Sequence, residues 1–152
     1  MMQRSVLLDS GFLIRLMNPE EGLHAVAMNL FRSFVTNGVT CKVSTIAVAE
    51  YGVKGCFQYL PTRYLEFVPF TFQHAEVAAR FMQTILKVKQ ERGAVIQLRV
   101  IIPNDTKMFA QASYEDDVYA FVSADSEAKK VYDLLESPKF EFVDIRLNAA
   151  NL

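Results

Sequence analysis

Apolar residues along this chain come in two rhythms, short unbroken runs and longer stretches at helical spacing, and the two alternate. Val6-Leu7-Leu8 is β-rich and free of polar side chains, which predicts a strand buried on both faces. Phe12 to Ile14 is read as packing the turn that follows. From Leu23, Ala27, Leu30, Phe31 and Phe34 recur at helical spacing, and Asn37-Gly38 supplies a left-handed stop. Cys41-Lys42-Val43 reads as a second strand, with Ser44 capping a helix that runs to about Phe57.

Glu66 to Phe70 predicts a third strand, weakened by Pro69. Val77, Phe81, Ile85 and Val88 mark a long helix that Gly93 ends, and Ala94 to Pro103 is an apolar connection that the pattern assigns to neither helix nor strand. Asn104 is read as the N-cap of a helix with Met108, Phe109 and Ala112 on its buried stripe. Val118 to Val122 is the clearest strand. A helix from about Ser126 follows, marked by Ala128, Val131, Tyr132 and Leu135, and Phe140 to Ile145 closes with a last strand. Strands alternating with helices need crossover connections, so the expected fold is α/β: a three-layer α/β/α sandwich around a mainly parallel sheet of about five strands.

Length and composition narrow this picture without changing it. A chain of 152 residues that is 51% hydrophobic fits one domain, expected to span residues 1–152 and to bury roughly two-thirds of its unfolded surface. No apolar run approaches the ~20 residues of a membrane helix. The start MMQRSVLLDS lacks the apolar segment of a secretory signal, so a cytoplasmic protein is expected. Cys41 and Cys56 form no CxxC pair and are read as two buried thiols. The net charge of −1 announces no nucleic-acid partner and excludes none, because a local patch is enough. Lys87, Lys89, Arg92 and Arg99 against Glu91 alone are read as a solvated helix end and loop, with a basic patch as the alternative.

Four carboxylates do not fit their surroundings. Asp9 and Asp125 follow apolar strands, at the carboxyl edge where open α/β sheets bind ligands. Glu50 shares a helical face with Ile46 and Val53, and Asp105 shares one with Met108, Phe109 and Ala112. Each has a plain alternative: Asp9 and Asp125 as turn or cap residues, Asp105 as a first-turn acid, and Glu50 as a partner of Lys42 or Lys54. Convergence of all four calls for a hard divalent cation, Mg²⁺ or Mn²⁺, which takes oxygen ligands and supports phosphodiester cleavage. Asp117, at the start of its strand, is assigned a structural or solvated role; His74 and Ser113 have no partners that make a nucleophilic triad.

The motifs LDSGFLI at 8–14, STIAVAEY at 44–51, PND at 103–105 with FAQA at 109–112, and VSAD at 122–125 resemble, in order and spacing, PIN-domain nucleases and especially VapC-like toxins. The resemblance spans nearly the whole chain. It implies a Mg²⁺- or Mn²⁺-dependent endoribonuclease with a five-stranded parallel sheet. It further implies a homodimer whose cognate antitoxin blocks the acidic cleft. By position, Asp9, Glu50, Asp105 and Asp125 match the acidic quartet that holds the metal and carries catalysis. Ser10 matches a hydroxyl that bonds a carboxylate or metal-bound water, and Ser123 matches a hydroxyl residue that is usually threonine. The sequence departs from the commoner pattern where Asn104 separates Pro103 from Asp105.

Lys107 lies two positions beyond Asp105 and is a candidate for substrate phosphate, with a carboxylate partner or plain solvent as alternatives. Two further functions compete with the ribonuclease: a catalytically silent PIN-like domain that binds RNA or a protein partner, and a receiver-like signalling domain. The first strand carries a single acid rather than the adjacent pair of a receiver, which disfavours the last.

Overall fold

The computed structural model describes residues 3–94 and 101–148. Residues 95–100, most of the Ala94 to Pro103 connection together with Arg99 of the basic stretch, lie outside them.

The first strand, β1 (Ser5–Leu8), is buried at every position, as the apolar run Val6 to Leu8 predicts. It is the centre of one five-stranded sheet with β2 (Thr40–Ser44), β3 (Leu65–Val68), β4 (Val118–Ser123) and β5 (Glu141–Asp144). The spatial order is β3-β2-β1-β4-β5, and all four pairings are parallel. The chain thus winds outward from β1 through β2 to β3, then returns to the other side of β1 for β4 and β5. Winding reverses between β1 and β4, and the crevice outside the carboxyl ends at such a reversal is where this architecture leaves room for a ligand.

Helices cover both faces. On one, α1 (Ser10–Met17) packs against α2 (His24–Thr36) and α3 (Thr45–Gly52), and α2 touches α7 (Ile145–Asn148). On the other, α5 (Asn104–Tyr114) packs against α4 (Phe72–Glu91) and α6 (Ser126–Tyr132). This is the predicted three-layer sandwich, with every pairing parallel. Phe109 fixes α5 over the sheet: its ring meets Phe121 of β4 edge-on at 4.9 Å and lies 5.7 Å from Phe140. The N-terminus of α5 is thereby held beside the starts of α1 and α6. Among the described residues no helix is long and apolar enough to cross a membrane.

Several boundaries differ from expectation, each for a local reason. Phe12 to Ile14 is not a turn but part of α1, because Phe12, Leu13 and Leu16 bury a helical stripe. Ser44 caps α3 as expected, its Oγ accepting from the Ile46 N–H, but the helix stops at Gly52 instead of Phe57 and two 3₁₀ turns follow. Strand β3 ends before Pro69, which cannot donate to a ladder. Pro103, not Asn104, is the N-cap of α5, and no side chain caps it. The last strand is shorter than predicted and turns directly into α7. Cys41 is buried, with its thiol pushed up to about 12 by desolvation, whereas Cys56 is exposed.

At the edge opposite the crevice, Lys42 of β2 is buried and donates to Asp117 at 2.8 Å, with Glu66 at 3.7 Å. Ser5 Oγ also donates to Asp117, so this acid joins β1, β2 and β4 from below. That removes Lys42 as a partner for Glu50 and gives Asp117 the structural role assigned from sequence.

Although desolvation pushes against ionisation, the bonds from Lys42 and Ser5 hold the Asp117 carboxyl below its ordinary value. Its contribution to stability is therefore present at neutral pH and is lost as pH falls through that lowered value. Asp117→Asn is expected to destabilise the fold at neutral pH by roughly 2 kcal/mol, less than for a fully buried pair because Asp117 keeps some solvent. Urea melts at stepped pH should find the gap from wild type closing on acidification.

Candidate active site

Asp9 follows β1 directly and is the N-cap of α1, so a buried strand delivers its carboxylate to the sheet edge. One oxygen accepts the Ser10 N–H at 2.7 Å, and the other accepts Ser123 Oγ–H at 2.7 Å. Ser123 is fully buried at the end of β4, and its Oγ also accepts the Asp125 N–H at 3.0 Å. One hydroxyl therefore ties the acid of the first strand to the backbone of the acid after the fourth. Ser10 Oγ stands 3.4 Å from the same Asp9 oxygen that its own N–H engages.

Asp125 is exposed and caps α6 through the Glu127 N–H at 2.8 Å. Asp105 is half-buried in the first turn of α5, where one oxygen accepts the Thr106 N–H at 2.7 Å. The cap and first-turn readings of these aspartates are thus correct as local structure. They leave the second oxygens of Asp105 and Asp125 without a hydrogen bond among the described residues. Glu50, on α3, has its Oε1 buried with no partner.

These four carboxylates line a single cleft of about 610 Å³ with Ser10, Gly11, Ile14, Arg15 and Met108 among its other walls. Ser123 lies beneath the cleft; Lys107 is half-buried in the first turn of α5 and is not part of its lining. Val53, expected to share Glu50's inward face, is 82% exposed because α3 has already ended.

The electrostatics follow from crowding. Burial pushes the Asp9 carboxyl above the ordinary range against the hydrogen bonds from Ser123 and Ser10, and nearby Glu50 and Asp125 push it further. Asp105 is raised for the same first reason, with Asp125 adding to it. The cleft accumulates negative charge that the protein itself does not neutralise.

Two neighbours escaped the sequence reading. Asp144 ends β5 level with Ser123 and is buried, gripped by Arg146 through Nε–Oδ1 at 2.9 Å and Nη2–Oδ2 at 2.6 Å. This holds Asp144 below the usual carboxylate range, and Arg146 also feels Asp125. The signal was present in Phe142-Val143-Asp144, an acid after an apolar strand, as at Asp9. Arg15 lines the cleft from α1, and its Nε is buried without a partner. It was hidden by reading α1 as a turn. Each unpartnered polar atom costs roughly 1–3 kcal/mol, so Glu50 and Arg15 are positions where the fold is incomplete by itself.

Hard oxygen donors in this number suit Mg²⁺ or Mn²⁺, and the unpartnered Glu50 oxygen supplies a ligand with no other task. Among the described residues no three ligating side chains already stand close enough together to hold an ion. A cation that keeps several waters fits such a spread set, because water spans the distance to the outer acids.

No protein-family model matches the chain, and no curated protein matches it in sequence. Solved structures do match in fold. A chain of VapBC2 from Rickettsia felis bound to a promoter DNA fragment superposes with a TM-score of 0.59 at 15% identity, covering 92% of this chain and 98% of that one. A chain of DNA-bound VapBC from Salmonella typhimurium gives 0.55 at 16% identity, covering 95% and 99%. The molecule has a VapC-like PIN-domain fold.

Because the folded pKa of Asp9 lies above its unfolded value, folding favours the protonated acid and stability declines as pH rises from 3.8 through the folded value. In EDTA, Asp9→Asn is expected to raise the melting temperature at neutral pH, with the gain shrinking on acidification. Thermal scans across pH check this; a destabilised variant at neutral pH contradicts it.

Proposed function

We propose that this protein is a Mg²⁺- or Mn²⁺-dependent endoribonuclease that hydrolyses RNA phosphodiesters, and the toxin of a type II toxin–antitoxin pair. The observation that carries the reading is one cleft, at the winding reversal of a VapC-like PIN fold, lined by Asp9, Glu50, Asp105 and Asp125. The VapBC structures that share the fold support an antitoxin as partner. A homodimer working in the cytoplasm completes the proposal.

Asp9, Glu50, Asp105 and Asp125 are the residues that would hold the cation. When bound, it lowers the pKa of water and neutralises phosphodiester charge during in-line attack. Ser123 orients Asp9 and fixes the backbone of Asp125, so both acids hold their direction as charge changes in the cleft. Ser10 stands beside Asp9 as a second hydroxyl, and Lys107 is assigned to substrate phosphate at the rim. Crowded carboxylates would repel RNA phosphate, and a cation held by them would offset that repulsion.

The spread of the carboxylates favours one alternative, a catalytically silent domain that binds RNA or a protein partner. The readings separate in a cleavage assay on single-stranded and structured RNA with Mg²⁺ and Mn²⁺. The nuclease reading expects metal-dependent cutting that Asp9→Asn and Asp105→Asn abolish and that Ser123→Ala weakens about 10- to 100-fold. RNA that is bound but left intact, identically for wild type and Asp9→Asn, would establish the silent domain instead.

A further inference from the structure

We infer that Arg15 grips a phosphate of the substrate backbone inside the acidic cleft, an assignment that rests on the ribonuclease reading above. Arg15 lines the same cleft as the four carboxylates, yet forms no ion pair with any of them among the described residues. Its guanidinium is held instead by the chain's own backbone: Nη1 donates to the Gly11 carbonyl at 3.1 Å, one turn back toward Asp9. That carbonyl accounts for one of five N–H donors, and the buried Nε has no acceptor.

The wall is shaped for this placement. A Cβ at position 11 would stand 3.1 Å from Arg15 Nη1, so the bare Gly11 leaves the guanidinium close contact with the first turn of α1 that a methyl would loosen by a few tenths of an ångström. Behind it, His24 Nδ1 donates to the Arg15 carbonyl at 2.7 Å and anchors that turn to the start of α2.

Opposite demands then meet in one cavity. Arg15 Nε lacks an acceptor, while Glu50 Oε1 lacks a donor or a cation. A free cation meets only the second demand, and an anion alone meets only the first. A phosphodiester entering with its counter-cation meets both. The planar fork of arginine suits two phosphate oxygens in a way that a lysine ammonium does not.

The test pairs steady-state cleavage of a single-stranded RNA in Mn²⁺ with fluorescence-anisotropy binding of a cleavage-resistant phosphorothioate form of that RNA in the same metal, across a salt series. Arg15→Gln is expected to raise KM and weaken binding about tenfold. It should also lower the slope of log Kd against log salt by ~0.7, one phosphate contact on a single strand. Arg15→Lys should keep the slope and recover part of the affinity. Gly11→Ala should shift KM and affinity in the same direction but by less than Arg15→Gln, since its methyl asks Nη1 to move only a few tenths of an ångström. Mn²⁺ affinity by calorimetry should change little in Arg15→Gln; a tenfold rise there without a change in the salt slope would show Arg15 competing with the cation for the acids and overturn the inference. Wild type that cuts RNA while Arg15→Gln matches it in KM, affinity and slope removes this contact and leaves the nuclease reading intact. Wild type that neither binds nor cuts RNA removes both.

Discussion

The structure turns on one buried carboxylate. Asp9 stands where the innermost strand stops and α1 starts, and its two oxygens are taken by the Ser10 N–H and the Ser123 hydroxyl. Through Ser123 the junction extends to the Asp125 backbone, so β1 with α1 and β4 with α6 are fastened at the point where the sheet reverses its winding. A charge kept at 6% exposure beside other acids is costly, and its pKa rises accordingly. The fold tolerates that cost at its central strand, where an apolar residue would pack without penalty. Such a concession is expected where a site needs the charge.

The Lys42–Asp117 pair at the opposite edge makes the contrast clear. There a buried cation meets its acid directly, hydrogen bonds lower the acid's pKa, and the charges cancel inside the protein. At the crevice they do not cancel. Arg146 neutralises Asp144 at the flank, while Arg15 is turned onto Gly11 and pairs with none of the four cleft acids. The same sheet therefore carries a closed electrostatic arrangement at its amino edge and an open one at its carboxyl edge.

Much of the fold was legible because buried parallel strands leave short runs without polar residues, as at Val6 to Leu8 and Val118 to Val122. Helix ends were less so. Gly52 and Gly55 close α3 against the rings of Phe57 and Tyr51, a local backbone-on-ring packing that hydrophobic periodicity does not encode. Helix α1 was missed because the short run Phe12 to Ile14 was read as packing a turn, and burial of Phe12, Leu13 and Leu16 on one stripe makes the segment helical. Among site residues, the acids were visible as charges in apolar settings. Ser123 carried no such mark: a serine at a strand end is ordinary, and only resemblance to PIN nucleases singled it out before its bonds to Asp9 and Asp125 gave it a task. Arg15 was invisible for the same reason as its helix.

The uncancelled charge at the carboxyl edge is what the proposed divalent cation would balance. The most direct measurement is an anomalous difference map from a crystal soaked in Mn²⁺. The account predicts a strong peak among Asp9, Glu50, Asp105 and Asp125 that disappears in Asp9→Asn. An empty cleft at a Mn²⁺ concentration that saturates the soaked crystal, or a peak that persists without Asp9, would contradict it.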